Sequence, residues 1–540
     1  MAKGYRPVDR DQPFLLPPDM REWLPSDHPV HLVIRAVGLM DTSAFHAGRK
    51  TGGAGTAGYD PDMLVTVLVW AYAHRITSSR EIEGLCRTDV AFRVICAANL
   101  PDHVTFARFR RDFPGLVEEF FAQVLILCAR LGMGRLGTVA LDGMKIAADA
   151  SKAANRTEEG LRKLAGEAVA AHAAADAAED ALFGAGRRGD EVPEEAWDPR
   201  SRDGRIAAAL AGLEAARAAA EQAEAAKAEG FRERQAAGQR TGCSPDSAAV
   251  ALAEEKLARV RADREAQLAE LEKRRAAGEP RRGRPAGVDD YCRVKAAACQ
   301  VDKARAREQE AGRRAAEREA NRTGPGPVRN ITDPDSRLMP VRGGGFIQGY
   351  NAQNVTSGDG LVIATELTDD PADMAWFEPM MRAAEDAAAL IGAHRPAPDP
   401  GTGDGQDDGI GLALADAGYC SQANLTCPGP DRLIAVGKRR DLEQAARGHD
   451  DAGGGRGGEA VQAMRERLKT EDGITAYRQR GHIAETPHGH IKHNMGIRQL
   501  SVRGKAKAAA EWTFICAVHN LFKAIATGHL TLQALAALAS

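Results

Sequence analysis

The sequence predicts a mixed α/β fold whose sheet has flanking helices, preceded by an all-α domain and interrupted by a long helical, coiled-coil-like insertion. Three observations predict this. Capped amphipathic helices fill residues 22–132, short aliphatic runs end in Asp142 and Asp416, and an Ala-, Glu- and Arg-rich stretch covers residues 152–327. At 540 residues the chain is long enough for several domains.

The first part of the chain carries explicit helix start signals. Asp60-Pro61 begins an apolar helix, and Ser78 to Glu81 has the spacing of a capping box. Thr105 is the predicted cap of a helix over 106–111, and Pro114 opens a longer helix to about residue 131. Basic side chains of this region that could bind DNA phosphates, or simply form a solvated helix surface, are Arg108, Arg110 and Arg111.

Strand patterns begin after this helical region. The run 137–142 predicts a buried strand that ends in an Asp142-Gly143 turn, and 409–416 predicts a second strand ending in Asp416. Between them, 345–355 and 361–367 predict a hairpin. Further predicted elements are a helix over 373–391, a strand over 433–436, and helices over 459–468, near Glu485 and over 511–525.

The stretch 152–327 has high helix propensity but a thin apolar stripe made mostly of alanine. Gly- and Pro-containing breaks at 183–204, 238–245 and 278–287 leave four candidate helices. We therefore expect an inserted helical arm rather than a second catalytic core.

Composition limits the class of protein. Charged residues make up 27% of the chain and hydrophobic ones 44%, and no apolar run is long enough for a membrane span. The polar N-terminal residues predict a cytoplasmic, nucleoid-associated protein without a membrane partner, and the nine scattered cysteines predict reduced thiols. The net charge of −3 requires any DNA contact to come from local asymmetry. Such asymmetry lies between Tyr477 and Lys507, where seven Lys or Arg and four His accompany one acidic residue, Glu485.

Two aspartates that each finish a buried strand can meet outside the strand ends of an α/β sheet. Their carboxylates would repel each other, and a divalent cation removes that repulsion. Two such ions can activate the attacking oxygen and stabilise the leaving oxygen of a displacement at phosphorus. Asp142 and Asp416 are therefore candidate metal ligands, although an Asp before Gly or Ala is also a common turn former.

Glu485 is the candidate third carboxylate. Pro487 requires a helix that starts near Glu485, and Lys492 would then share its face two turns later, with Arg480 and Lys492 toward DNA phosphates. The histidines at 482, 488, 490 and 493 match no strong zinc signature. Local acidic rivals are Asp149, Glu366, Asp369, Asp370 and Asp373, of which Asp373 is equally suited to cap a helix.

The chain resembles the DDE transposases of bacterial insertion sequences, in the branch with an N-terminal helical domain of the InsH type and a Tyr-Arg-Glu-Lys signature. The resemblance runs nearly end to end, and the residues that carry it are 78–83, 101–105 with 109–110, 141–146, 349–353, 415–419, Glu485 with Gly489 and Lys492, and 511–523. One departure is that four residues separate Arg480 from Glu485, where the family leaves three.

The resemblance implies an RNase-H-like catalytic fold in which Asp142, Asp416 and Glu485 are both the catalytic triad and the ligands of two Mg²⁺ or Mn²⁺ ions. It also implies Tyr477, Arg480 and Lys492 in the other signature positions, double-stranded DNA of the element ends and target as partner, and a homodimer or higher oligomer on DNA. The expected activity is cleavage and transfer of DNA strands at terminal inverted repeats. The alternatives are an inactive DNA-binding derivative and a stand-alone metal-dependent nuclease.

The expected domain division follows the same pattern. Its parts are an N-terminal extended segment 1–21, a helical and DNA-binding domain 22–132, a catalytic domain 133–151 and 328–525, the helical insertion 152–327, and a C-terminal tail 526–540.

Overall fold

A computed structural model describes most of the chain, and its elements divide between two compact units. The described residues are 19, 22–47, 58–97, 99–112, 114–183, 201–237, 239, 248–277, 285–320, 327–341, 344–396, 409–437 and 458–539. One unit runs to Ala154 and resumes at Thr332, and the other covers Asn155–Ile331. Most of the predicted segment 1–21 and most of the predicted breaks in 152–327 lie outside the described residues, as does all but the last residue of 448–458, whose glycine-rich composition indicates a loop.

The first unit opens with seven helices in its described part, and they follow their sequence signals closely. Their bounds are α1 Pro29–Gly38, α2 Ser43–His46, α3 Pro61–Ala73, α4 Ser79–Thr88, α5 Val90–Cys96, α6 His103–Arg111 and α7 Val117–Arg130. Asp60 caps α3 by accepting from the amide of Asp62, and Ser78 accepts from the amide of Glu81 at the start of α4. The prediction that Thr105 caps the next helix is wrong. Asp102 is the cap, because its carboxylate accepts the amide N–H of Thr105 at 2.7 Å.

A six-stranded mixed sheet forms the centre of the first unit. Its strands are β1 Thr138–Ala147, β4 Arg337–Pro340, β5 Phe346–Ser357, β6 Val362–Thr368, β7 Leu412–Ala415 and β8 Asp431–Ile434. The order is β4-β5-β1-β7-β8, with β6 also paired to β5. The pairs β1–β5, β4–β5 and β5–β6 are antiparallel, whereas β1–β7 and β7–β8 are parallel. The predicted hairpin is confirmed as β5–β6.

The strand that carries Asp142 does not end there, so the predicted Asp-Gly turn is wrong. β1 continues to Ala147 and stays paired with β5, with Gly143 opposite Gln353. A Cβ on Gly143 would lie 2.6 Å from Asp373 Oδ1 and 2.8 Å from Gln353 Nε2. The glycine therefore makes room for neighbouring side chains instead of reversing the chain.

Helices α12 Phe377–His394 and α13 Gln422–Thr426 lie between the later strands. After β8 the described chain continues with α14 Glu459–Lys469, α15 Glu471–Gly489, a π-helix over His490–Asn494, α16 Lys505–Ala526 and α17 Leu532–Ala539. The predicted helices over 459–468 and 511–525 are confirmed as α14 and α16. The predicted tail contains α17.

The prediction that a helix starts near Glu485 is wrong. α15 begins at Glu471, where the Thr470 hydroxyl accepts the amide N–H of Gly473 at 3.0 Å, and Pro487 lies in its last turn. The chain then turns into the π-helix that contains Lys492. Because a π-helix advances by a different angle per residue from an α-helix, the spacing of seven does not place Glu485 and Lys492 on one face.

Buried aromatic and charged side chains join the N-terminal helices to α16. Phe514 packs against Tyr72 of α3 and Phe120 of α7, with ring centroids 5.3 and 5.7 Å apart. Tyr72 also donates its hydroxyl to the Glu511 carboxylate at 2.7 Å, and Glu511 is 4% exposed. Helices at the two ends of the first unit therefore share one core.

The second unit consists of long helices and one short strand pair. Its elements are β2 Asn155–Thr157, α8 Glu158–Phe183, α9 Arg202–Ala236, α10 Ala249–Ala276, α11 Cys292–Ala320 and β3 Val328–Asn330. Leu161 and Ile206 belong to one small apolar cluster, and Ala228 and Leu252 to another. Strands β2 and β3 are antiparallel, with Asn155 opposite Asn330. Among the described helices of the whole chain, none is long and apolar enough to cross a membrane.

Candidate active site

Strand register places Asp142 and Asp416 beside each other. Leu141 is the last residue of β1 that pairs with β7, and its partner is Ala415. Asp142 and Asp416 each follow that pair directly. Because side chains alternate along a strand, Asp142 lies on the same face as Ala140, which packs in a cluster with Ile483 and Ala484 of α15. The sheet therefore presents Asp142 to α15.

Arg480 of α15 contacts both carboxylates. Its Nη1 lies 3.8 Å from Asp142 Oδ2, and its Nη2 lies 4.0 Å from Asp416 Oδ2. Burial acts to lower the pKa of Arg480, but Asp142, Tyr477 and Asp416 together raise it above its usual value. Nη1 is buried and has no hydrogen-bond partner among the described residues. At these distances the guanidinium forms ion pairs with the two carboxylates without hydrogen bonds to them.

The Asp142 carboxyl group is largely buried, and its two oxygens have different surroundings. Oδ1 accepts the amide N–H of Gly143 at 3.1 Å, and Oδ2 faces Arg480 and, at 3.8 Å, Nδ1 of His488. The pKa of Asp142 is raised to about 6, chiefly by burial and also by the charges of Asp416 and Asp373, while Arg480 and the Gly143 amide oppose the rise. This carboxyl group therefore holds its charge less readily than an exposed one.

Asp416 begins the segment after β7 and is more exposed than Asp142. Its Oδ1 accepts the amide N–H of Gly418 at 2.8 Å, which caps a short 3₁₀ turn over Ala417–Tyr419. The Tyr419 hydroxyl contacts Gln353 Oε1. Burial, and after it the charges of Asp373, Asp142 and Asp416, raise the pKa of Tyr419, so its hydroxyl stays protonated.

Asp373 is a third aspartate at this place. It does not cap the following turn with its side chain, so the capping prediction is wrong. Its Oδ1 accepts from Asn351 Nδ2 at 2.7 Å, Gln353 Nε2 at 2.8 Å and Lys145 Nζ at 3.2 Å. A Cβ on Gly418 would lie 3.0 Å from Asp416 Oδ1 and 3.3 Å from Asp373 Oδ2. Both aspartates therefore border the same small space.

Glu485 is exposed in the last two turns of α15, and it does not form a tight cluster with the two aspartates. Within the described part of the chain, one group of three His, Cys, Asp or Glu has all its ligand atoms within 4.8 Å of one another. That group is His46, Asp60 and Asp62 at the surface of the N-terminal helices. The structure thus brings together Asp142, Asp416 and Arg480, and within the described residues no cluster of this tightness includes Glu485.

Three further residues that were predicted to bind DNA make contacts within the protein. Tyr477 donates its hydroxyl to the carbonyl of Ala415 at 3.2 Å, directly before Asp416. Lys492 Nζ lies 3.4 Å from the carbonyl oxygen of Lys145, and burial lowers the pKa of Lys492. Arg110 points into the protein, where Nη1 donates to the Thr77 carbonyl at 2.7 Å.

Arg108 and Arg111 are exposed on α6, and Arg111 pairs with Asp112 at 3.5 Å. Sequence reasoning missed the roles at the site of Asn354, His488 and Tyr419. The one available signal was strand alternation, which places Asn354 opposite Asp142 once the hairpin is known.

The fold and this site define an α/β protein with acidic side chains gathered beside a half-buried arginine, where the parallel pairing of β1 and β7 ends. Two family models match the chain. One is described as a transposase domain (DUF772) and matches residues 18–112, and the other is described as a transposase DDE domain and matches residues 457–525. Together they confirm the resemblance and support the assignment of the chain as a DDE transposase of the insertion-sequence type.

The matched regions include α6 and the segment with Arg480, Glu485 and Lys492, whereas Asp142 and Asp416 lie outside them. No curated protein and no solved structure matches the chain.

Proposed function

We propose that the protein binds the terminal inverted repeats of an insertion sequence and catalyses metal-dependent cleavage and transfer of DNA strands. One observation carries the proposal. Asp142 and Asp416, 274 positions apart in sequence, lie within 4.0 Å of the same guanidinium in a chain with two transposase domains. Two buried or half-buried carboxylates at adjacent strand positions require a cationic partner.

The fold that this activity uses is proposed to be RNase-H-like. The antiparallel set β6-β5-β1 continued by parallel β7 and β8 supports it, with Asp142 on the central strand. We further propose that residues 152–327 are an insertion in the catalytic domain, which consists of 133–151 and 328–525. Residues 22–132 would form a DNA-binding domain before it, and 526–540 a tail after it.

The residues present fit a hard divalent cation. Asp142 and Asp416 offer carboxylate oxygens, which Mg²⁺ and Mn²⁺ prefer, and the burial that raises the pKa of Asp142 makes a nearby cation favourable. We propose that Asp142, Asp416 and Glu485 hold two such ions. When bound, the ions would supply a Lewis acid for the attacking and leaving oxygens of a phosphoryl transfer.

The chain's own groups would bind and orient the DNA. Arg480 and Lys492 bring positive charge to the side of the sheet where the aspartates lie, so phosphates can approach carboxylates that would otherwise repel them. The Tyr477 hydroxyl holds the backbone before Asp416. Arg108 and Arg111 are free to meet phosphates further along the duplex, whereas Arg110 supports the fold. Two or more copies on DNA would hold both element ends together.

The test uses the purified full chain, labelled DNA from either side of its coding region, and Mg²⁺ or Mn²⁺. We expect cleavage that exposes 3′ ends and joining of those ends to target DNA. Asp142→Asn and Asp416→Asn should each reduce the rates of both steps at least about a hundredfold, because bound metal ions lower the activation barrier by several kcal/mol. Asp149→Asn is the matched control, since Asp149 pairs with Arg503 at 2.9 Å outside the site.

Equal activity of wild type and the Asp142 or Asp416 variants would contradict the proposed site. Glu485→Gln and Asp373→Asn, compared side by side, decide which of these two acidic residues is the third carboxylate. Binding of end DNA without cleavage would favour an inactive derivative, and hydrolysis without joining would favour a stand-alone nuclease.

A further inference from the structure

We propose that His488 is a positioning residue for Asp142, and that Trp512, Thr365 and Asn354 hold it as the neutral tautomer with the proton on Nδ1. The inference rests on the proposed function, because it concerns the carboxylate that the proposed reaction uses. The inference is based on a series of hydrogen bonds that runs from Trp512 of α16 to His488. Each group in the series fixes whether the next one donates or accepts.

The chain starts at Trp512, which is fully buried and can only donate. Its Nε1 lies 2.8 Å from Thr365 Oγ1 and 3.2 Å from Asn354 Oδ1. Thr365 donates its hydroxyl to the same Asn354 oxygen at 2.6 Å. Two donors therefore face this end of the Asn354 side chain, so it must be the carbonyl oxygen.

The other end of the Asn354 amide is then its NH₂ group, and it faces the imidazole. Asn354 Nδ2 lies 3.3 Å from His488 Nε2. An amide NH₂ can only donate, so Nε2 must be the unprotonated nitrogen of the ring. The ring is consequently neutral, and its single proton is on Nδ1.

That proton faces Asp142. Nδ1 lies 3.8 Å from Asp142 Oδ2, while Asp142 Oδ1 accepts from the amide of Gly143. The opposite tautomer would present a nitrogen lone pair to a carboxylate oxygen, which is repulsive. The Nδ1 proton instead attracts Oδ2 electrostatically across 3.8 Å and so favours the orientation in which Oδ2 faces the ring. The two nitrogens of a histidine are distinct in this way whenever one of them has a fixed partner.

Packing alone does not require this arrangement. Asn354 is 1% exposed and lies opposite Asp142 in the β1–β5 pair, and apolar side chains in place of Asn354, Thr365 and Trp512 together would fill the same space without unsatisfied polar groups. The network keeps polar groups in the interior and points them at one carboxylate, which is how outer residues orient the ligands of a metal site.

The first experiment reads the tautomer. Full-length protein with ¹⁵N-labelled histidine is compared with its His488→Asn variant by two-bond ¹H–¹⁵N correlation, so the missing signals identify His488 among 14 histidines. We expect a protonated Nδ1 and a lone-pair Nε2. Asn354→Asp replaces the NH₂ donor by an acceptor and should place a proton on Nε2 as well, because both ring nitrogens then face a carboxylate. A wild-type His488 protonated on Nε2, or on both nitrogens, would overturn the inference.

The second experiment compares Asn and Gln as replacements for His488. Asn at position 488 places its NH₂ near the position of Nδ1, whereas Gln places its amide near Nε2. His488→Asn should lose less Mn²⁺ affinity, measured by electron paramagnetic resonance, and less DNA cleavage than His488→Gln. His488→Gln should weaken both by about tenfold or more. Thermal unfolding of both variants separates this effect from loss of fold.

Equal Mn²⁺ affinities and equal cleavage by the two folded variants would contradict the inference and leave the proposed function standing. A wild type that neither binds Mn²⁺ nor cuts DNA would instead refute the proposed function. The inference would then lose its part in catalysis, even if the spectrum shows the expected tautomer.

Discussion

At the scale of single residues, the absence of a side chain at position 143 shapes the site as much as any charged group. Asp373 and Gln353 reach across β1 because Gly143 leaves the space open, and their hydrogen bond at 2.8 Å lies beside the strand. Gly349 is equally constrained, since a Cβ there would lie 2.1 Å from the carbonyl oxygen of Ile146. Backbone space is therefore a condition for bringing Asp373 close to Asp142.

We expect Gly143→Ala to destabilise the protein by about 1 to 3 kcal/mol, because the added methyl must push apart hydrogen-bonded side chains. Urea unfolding measures this change. Gly84→Ala is the matched control: it lies in the interior of α4, and no atom stands within 4 Å of an added Cβ. That control should be neutral or stabilising by up to about 1 kcal/mol. A loss no greater for Gly143→Ala than for Gly84→Ala would show that the space is not limiting.

At the scale of elements, hairpins and capped helices could be predicted from sequence, whereas the end of α15 could not. The β5–β6 turn and the cap at Asp60 are local signals, so their residues suffice. Pro487 is locally ambiguous, because a proline near a helix end fits a first turn or a last one, and only the cap at Thr470 decides. The Asp142–Asp416 pair was predicted from two strand ends, although only the strand before Asp416 ends there, and the contacts of Asp373 and His488 depend on tertiary packing.

The junction of the π-helix with α16 predicts acid sensitivity. His519 of α16 contacts His490 at 2.9 Å and the carbonyl of Gly360 at 3.0 Å, and burial lowers the pKa of His519 from 6.5 to about 3. Between about pH 3 and pH 6.5, His519 is therefore protonated in the unfolded chain and neutral in the folded one. Stability is complete above pH 6.5 and falls with decreasing pH, by about 2 kcal/mol from this residue at pH 5.

Urea unfolding at pH 7.5 and pH 5 tests this sign. His519→Asn should show a drop smaller than that of wild type by about 2 kcal/mol. His482→Asn, an exposed histidine of α15, is the control and should keep the wild-type drop. Identical pH dependence of wild type and His519→Asn would exclude His519 as the source.

At the scale of the whole molecule, the first and last residues of the second unit lie next to each other. Asn155 and Asn330 are directly opposite each other in the β2–β3 pair, so the two chain ends of this unit are neighbours. The first unit has its own extensive core, which includes no residue of the second. The two units therefore meet the conditions for independent folding.

We expect a variant in which a short Gly-Ser linker joins Ala154 to Thr332 to fold. Its near-ultraviolet circular dichroism should keep the signal of buried Trp512, Tyr350 and Tyr419, and Mn²⁺ binding should persist. An insoluble or unfolded product would show that the first unit needs the second. A folded product without DNA joining would assign the second unit a part in DNA handling or assembly.

The wide separation in sequence of Asp142 and Arg480 orders events in time as well as in space. A ribosome has made more than four fifths of the 540 residues before the guanidinium that both aspartates contact exists at all. A polypeptide cut short by a premature stop between Asp416 and Arg480 carries two mutually repelling acids with no cation supplied by α15. An earlier stop removes Asp416 as well, so a truncated product of either kind would lack the acidic pair with its guanidinium that the proposed reaction requires.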